Sequence, residues 1–195
     1  FSPLRDSALP ENLNGLILGG GYPELHGKEL AENKGMLNSV RSALEAGMPW
    51  LAECGGFMYL HEDMEDREGA VHSLVGRIPG RTYPTGKLVR FGYVQIRNRE
   101  EEDSCPEEYL SLKGNLSSEG YLLPGETIRG HEFHYWDSTD SGKDCVAVKP
   151  DGRRKWNCIH MEGNLFAGYP HLFLPSMRGF AERFVRRCGI WGGKY

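Results

Sequence analysis

Long apolar runs are missing from this sequence. No stretch approaches the ~20 residues that a membrane-crossing helix needs, and no secretory signal is visible. An excess of one charge sign is missing too: 23 Lys and Arg stand against 27 Asp and Glu, for a net charge of -4. That balance gives no electrostatic case for binding nucleic acid or an anionic membrane. Cysteine is sparse, and its spacing suits neither a metal site nor a disulfide framework. Cys54, Cys105, Cys145, Cys158 and Cys188 form no CxxC pair, and their number is odd. Free thiols in a reducing, cytoplasmic setting are the expectation. Repeats and low-complexity tracts are also lacking. The run Glu100, Glu101, Glu102, Asp103 reads as a solvated loop.

What remains is an ordinary globular composition, 39% hydrophobic and 26% charged over 195 residues, enough for one domain across 1–195 with a real core. "NGLILGGG" reads as a short buried strand, Leu16 to Leu18, running into glycines. Met36, Leu37, Val40, Ala43 and Leu44 then recur at helical spacing, and Gly47 and Pro49 punctuate the end of that helix. Trp50 to Ala52 form a second strand, followed by a short helix. This strand–helix order predicts right-handed crossovers and a parallel sheet. The second half is richer in strands: "KLVRFGYVQI", "TIRGHEF", "DCVAV", "NCIHM" and "NLFAGY" are short and rich in branched or aromatic residues. A last helix is predicted with Ser176 as N-cap and Met177, Phe180, Ala181, Phe184, Val185 and Cys188 as its apolar stripe. The fold class is α/β, an open mostly parallel sheet flanked by helices, with a mixed or antiparallel part behind.

Chemistry concentrates at three places. Cys54 sits between an apolar strand and Gly55-Gly56, the pattern of a nucleophile elbow with cysteine in the serine position. A helix starting there would place unpaired N–H groups near the sulfur. The loop "GGGYPE", Gly19 to Glu24, also follows a strand, where bare N–H groups can approach a ligand or a developing oxyanion. It lacks the Lys-Ser/Thr pair of a phosphate loop. The third element is a base. Seven histidines are available, and order alone does not select one. His131 and His134 flank Glu132, but zinc motifs of that spacing need a helix and a further ligand, and this segment reads as strand, so no metal is expected.

"FSPLRDSALP", "GLILGGGYPE", "WLAECGGFMYL", "GHEFHY" and "GNLFAGYPHL", in that order, resemble the amidotransferase domain of cobyrinic acid a,c-diamide synthases over nearly the whole chain. That domain is similar to class I (triad-type) glutamine amidotransferases. The resemblance implies Cys54 as nucleophile, His171 as its base, and an oxyanion hole from Gly20, Gly21 and Gly55. It places Tyr22, His131, Glu132 and His134 at the glutamine pocket. It implies L-glutamine as substrate and no cofactor in this domain. ATP and Mg2+ would belong to an N-terminal ATP-dependent ligase domain, which amidates the a and c carboxylates of cobyrinic acid, a tetrapyrrole, in cobalamin biosynthesis. A first strand of the fold would lie before Phe1. Amidation of a related substrate such as a metal-sirohydrochlorin or cobyric acid precursor, a stand-alone thiol hydrolase, and a degenerate docking or regulatory domain are the alternatives. One departure stands out. Triad-type relatives carry an acid two residues after the histidine, whereas His171 is followed by Leu172 and Phe173, so the orienting group is missing or comes from elsewhere.

Overall fold

A computed structural model describes residues 1–99 and 120–194; the acidic run 100–103 and Cys105 lie outside the described residues. The first sheet joins β1 (Leu16–Leu18), β2 (Trp50–Glu53), β11 (His160–Glu162) and β12 (Leu165–Gly168) in the order β1-β2-β12-β11. β1, β2 and β12 run parallel, and β11 is antiparallel to β12. A strand covered on both faces reads as a continuous apolar run, and Trp50, Leu51 and Ala52 are all buried. Ile17 is 52% exposed because β1 is the edge strand.

One face of this sheet packs on α2 (Lys34–Glu45), whose Met36, Leu37, Val40 and Leu44 share a core with Leu16, Leu18, Trp50 and Ala52. Asn33 caps α2 by accepting a hydrogen bond from the Met36 N–H at 3.3 Å, and Gly47, at φ 87°, turns the chain after it. The other face packs on a five-stranded antiparallel sheet of β6 (Arg90–Asn98), β7 (Thr127–His134), β9 (Cys145–Val148), β10 (Lys155–Cys158) and β13 (His171–Leu172), in the order β10-β9-β6-β7-β13. A third sheet, β4-β3-β5-β8, is formed by β3 (His61–Glu65), β4 (Val71–Ser73), β5 (Ile78–Pro84) and β8 (Trp136–Ser138). The parallel strands lie in front and the antiparallel ones behind, as the element order predicts.

Three local expectations need correction. "NCIHM" is two strands, since Ile159 adopts a left-handed φ of 68° between β10 and β11. Ser176 does not cap the last helix, α4 (Arg178–Trp191). Its hydroxyl accepts from the Arg129 N–H and donates to the Phe173 carbonyl, and Met177 occupies the cap position without a side-chain bond. The buried stripe of α4 is also rotated from the predicted one. Val185 is 65% exposed, whereas Arg187 is buried, donating to the Gly163 carbonyl and the Asn164 Oδ1 and lying over the Tyr121 ring.

Candidate functional site

Cys54 lies between β2 and α3 (Gly55–Tyr59) with φ 49° and ψ -108°, a left-handed backbone that a non-glycine residue adopts only under strain. The surroundings hold it there. The Cys54 N–H donates to the Gly168 carbonyl at 2.9 Å, tying the elbow to the end of β12, and the Gly56 N–H donates to the Gly19 carbonyl at 3.1 Å. A Cβ at Gly55 would stand 2.8 Å from the Gly21 carbonyl oxygen and 2.9 Å from its nitrogen, and one at Gly56 would stand 2.4 Å from the Leu18 oxygen. Both glycines are therefore required for the elbow to close against the end of β1 and the loop that follows it.

Cys54 is 9% exposed. Burial pushes its pKa up to about 11; the Gly55 N–H opposes this, while the carboxylates of Glu24, Glu132 and Glu53 add to it. Desolvation thus outweighs the help expected from a helix start, which in a five-residue helix is small. The resting sulfur is a protonated thiol.

Cys54 opens into a cavity of about 680 Å³ that is also lined by Gly20, Gly21, Tyr22, Glu24, Arg67, His131, His134 and His171. Sequence-distant segments converge because β2 and β12 are neighbours, with Glu53 in register with Gly168. Three residues beyond Gly168, His171 opens β13 and pairs with His131 of β7. Partial burial lowers the His171 pKa; His131 and His134 lower it further, and Glu132 opposes them. A neutral imidazole and a protonated thiol that open into one cavity are in the protonation states from which proton transfer would start.

Gly20 leaves room for that ring. A Cβ there would fall 2.5 Å from His171 Cε1. Gly20→Ala is expected to push the imidazole aside and lower turnover by ~10², the scale of misplacing a catalytic group by about 1 Å. Because residue 20 is exposed and not in the left-handed region, the melting temperature should hardly move. Steady-state kinetics alongside a thermal melt checks this; unchanged turnover would show that the contact does not position the ring.

The expected glutamine-pocket residues divide. Tyr22, His131 and His134 line the cavity, Tyr22 at its mouth. Glu132 does not. It is 1% exposed and accepts hydrogen bonds from Trp156 Nε1 and His134 Nε2, both at 3.1 Å. His134 also faces the Trp136 carbonyl through Nδ1 at 2.6 Å and stacks flat on Tyr169 at 3.9 Å. Strand alternation is the reason: in β7, Glu132 and His134 point inward while His131 and Phe133 point outward. His131 and His134 therefore project from opposite faces of the strand, although both border the cavity. Sequence reasoning missed Glu24, Arg67 and Glu53. Glu53 stands next to Cys54 in the sequence, but nothing local reveals that its Oε1 accepts the Leu172 N–H at 2.9 Å, or that its Oε2 lies 3.8 Å from His171 Nδ1.

Thiol accessibility also departs from expectation. An elbow predicts an exposed Cys54 and the helical stripe a buried Cys188, yet Cys54 is buried and Cys188 is half-buried. A small neutral alkylating agent near pH 8 should therefore label Cys188 ahead of Cys54, whereas a glutamine-shaped electrophile should label Cys54 first. Peptide mapping by mass spectrometry reads both; preference of the small reagent for Cys54 would contradict the raised pKa.

Comparison with known proteins agrees with this geometry. The CobB/CobQ-like glutamine amidotransferase domain matches residues 1–178. The chain is 38% identical to the cobyrinate a,c-diamide synthase of Caldanaerobacter subterraneus subsp. tengcongensis over 100% of its own length and 40% of that protein. For the same-named protein of Fusobacterium nucleatum the figures are 41%, 94% and 37%, and for that of Salmonella typhimurium 39%, 88% and 34%. The chain thus spans less than half the length of these relatives. A solved glutamine amidotransferase superposes with a TM-score of 0.57 at 17% identity, covering 92% of this chain and 81% of that one, a likeness of fold.

Proposed function

We propose, on the premise that this chain belongs to the CobB/CobQ-like glutamine amidotransferase domain family, that it hydrolyses L-glutamine and delivers ammonia to an ATP-dependent ligase portion of a longer protein. The observation that carries this reading is the strained Cys54 elbow opening into the same cavity as His171, against the Gly20-Gly21 loop. The raised thiol pKa makes proton transfer to His171 part of the attack rather than a step completed beforehand. Sγ adds to the carboxamide carbon, and the oxyanion is met by the N–H groups of Gly21, with Gly20, and Gly55. Each such donor is worth ~10²–10³ in rate. The imidazolium then protonates the leaving nitrogen, ammonia departs, and a γ-glutamyl thioester remains on Cys54. His171 next takes a proton from water, which attacks the thioester and releases glutamate.

The acceptors are the a and c carboxylates of cobyrinic acid, as the relatives' names support, and the setting is cytoplasmic. No helix among the described residues is long and apolar enough to cross a membrane. ATP and Mg2+ belong to the ligase portion. The 19–24 loop does not fit nucleotide phosphates, because it carries no lysine and runs into a three-residue 3-10 turn, Pro23–Leu25, rather than a helix. The test is glutamate release by this chain alone, then with the ligase portion, ATP and cobyrinic acid. Release that rises on adding the partner supports the reading; no release in either case overturns it.

A further inference from the structure

His171 lacks an acid two residues on: that position is Phe173, more than half exposed. The structure brings a carboxylate to the imidazole from another strand. Glu53 ends β2 in register with Gly168 of β12, so its side chain reaches the segment that leaves β12 and enters β13. Oε1 accepts the Leu172 N–H at 2.9 Å, which anchors the carboxylate, and Oε2 stands 3.8 Å from His171 Nδ1. The Glu53 side chain is largely buried. Among the described residues no donor other than the Leu172 N–H and His171 comes within bonding or ion-pair range of it. A desolvated carboxylate with one oxygen satisfied and the other aimed at an imidazole nitrogen has the arrangement of an orienting group.

We propose that Glu53 is the positioning residue for His171: its carboxylate accepts a hydrogen bond from Nδ1–H, holds the tautomer whose Nε2 is free for the Cys54 thiol, and stabilises the imidazolium formed when that thiol gives up its proton. This rests on the glutaminase reading above. The 3.8 Å separation is a near contact that closes to a hydrogen bond once substrate orders the cavity, as apo-state catalytic contacts commonly do. The neighbouring residue therefore holds the ring that deprotonates the nucleophile. A side chain at residue 20 would meet the ring at Cε1, an atom other than the Nδ1 that faces Glu53.

The decisive variant is Glu53→Gln, made in the protein that contains this chain together with its ligase portion. Glutamine keeps a carbonyl oxygen for the Leu172 N–H and loses the charge. Turnover should fall by ~10²–10³, below the ~10⁴ of the serine triad because His171 is only half-buried, while KM for glutamine and the melting temperature stay put. His171 is also faced by His131, His134 and Glu132, with Cys54, Glu24 and Arg67 on the same cavity. These groups are unchanged in the variant. Removing the Glu53 charge destabilises the imidazolium, so the acidic limb of the pH–rate profile should move to lower pH. The 15N NMR signals of His171 should change from a single Nδ1–H tautomer to a mixture, and Glu53→Asp should restore part of both readouts. A Glu53→Gln protein with unchanged turnover, or with lowered turnover but an unmoved pH limb and tautomer signal, overturns the proposal, the second result marking Glu53 as a structural staple of Leu172. A parent protein that releases no glutamate defeats the glutaminase reading, while the tautomer signal tests Glu53 separately.

Discussion

Replacing Cys54 with alanine is expected to lower glutamate release by ~10⁴ or more, the scale seen when a covalent nucleophile is removed from its triad. Made in a protein that joins this chain to the proposed ligase portion, the same variant should retain amidation when free ammonia replaces glutamine, because the substitution touches only the Cys54 cavity. The elbow strain argues that folding will survive: φ 49° is unfavourable for cysteine and alanine alike, and removing one buried sulfur leaves the Gly55 and Gly56 contacts with Gly21 and Leu18 in place. Parallel assays with glutamine and with ammonium check this. Loss of both activities would make the residue structural, and survival of the glutamine-driven one would show that the nucleophile lies elsewhere.

His171→Ala should cost nearly as much, ~10⁴ in turnover, the upper range for a general acid–base group. Here the cause is the buried thiol. With its pKa near 11, Cys54 supplies little thiolate at neutral pH, and a cavity that holds Glu24 and is influenced by Glu53 and Glu132 opposes the charge further. The sulfur therefore depends on an adjacent base. The space left by the ring opens to the cavity, so added imidazole should restore part of the rate, and the restoration should grow with the fraction of neutral imidazole as pH rises. Kinetics in a series of imidazole concentrations tests this. Turnover near that of the parent without imidazole would mean the thiol ionises unaided.

Much of this site was legible from sequence, for physical reasons that particular residues make plain. A cysteine between an apolar strand and two glycines is a local pattern, and a Cβ at either glycine would fall within 3 Å of neighbouring backbone. The strand Leu16–Leu18 and the helix around Val40 follow from periodicity and punctuation. Other features depend on partners far along the chain. Arg187 turns inward because Gly163, Asn164 and Tyr121 are there to receive it, and Ser176 is diverted from capping by the Arg129 N–H. The inward turn of Glu132 was within reach of strand parity, since alternate residues of β7 face opposite ways. Glu53 was not: its bond to Leu172 spans 119 residues, and only the pairing of β2 with β12 brings the two together.

The most direct test of the account is acid-quench mass spectrometry of the protein during turnover with glutamine, on the parent and on His171→Ala. The account predicts a γ-glutamyl thioester on the peptide containing Cys54 in the parent, removed by hydroxylamine, and little or none in His171→Ala because the thiol is not deprotonated. Glutamate release from the parent without any adduct on Cys54 under conditions that trap such thioesters, or an adduct on Cys145, Cys158 or Cys188 instead, would contradict it.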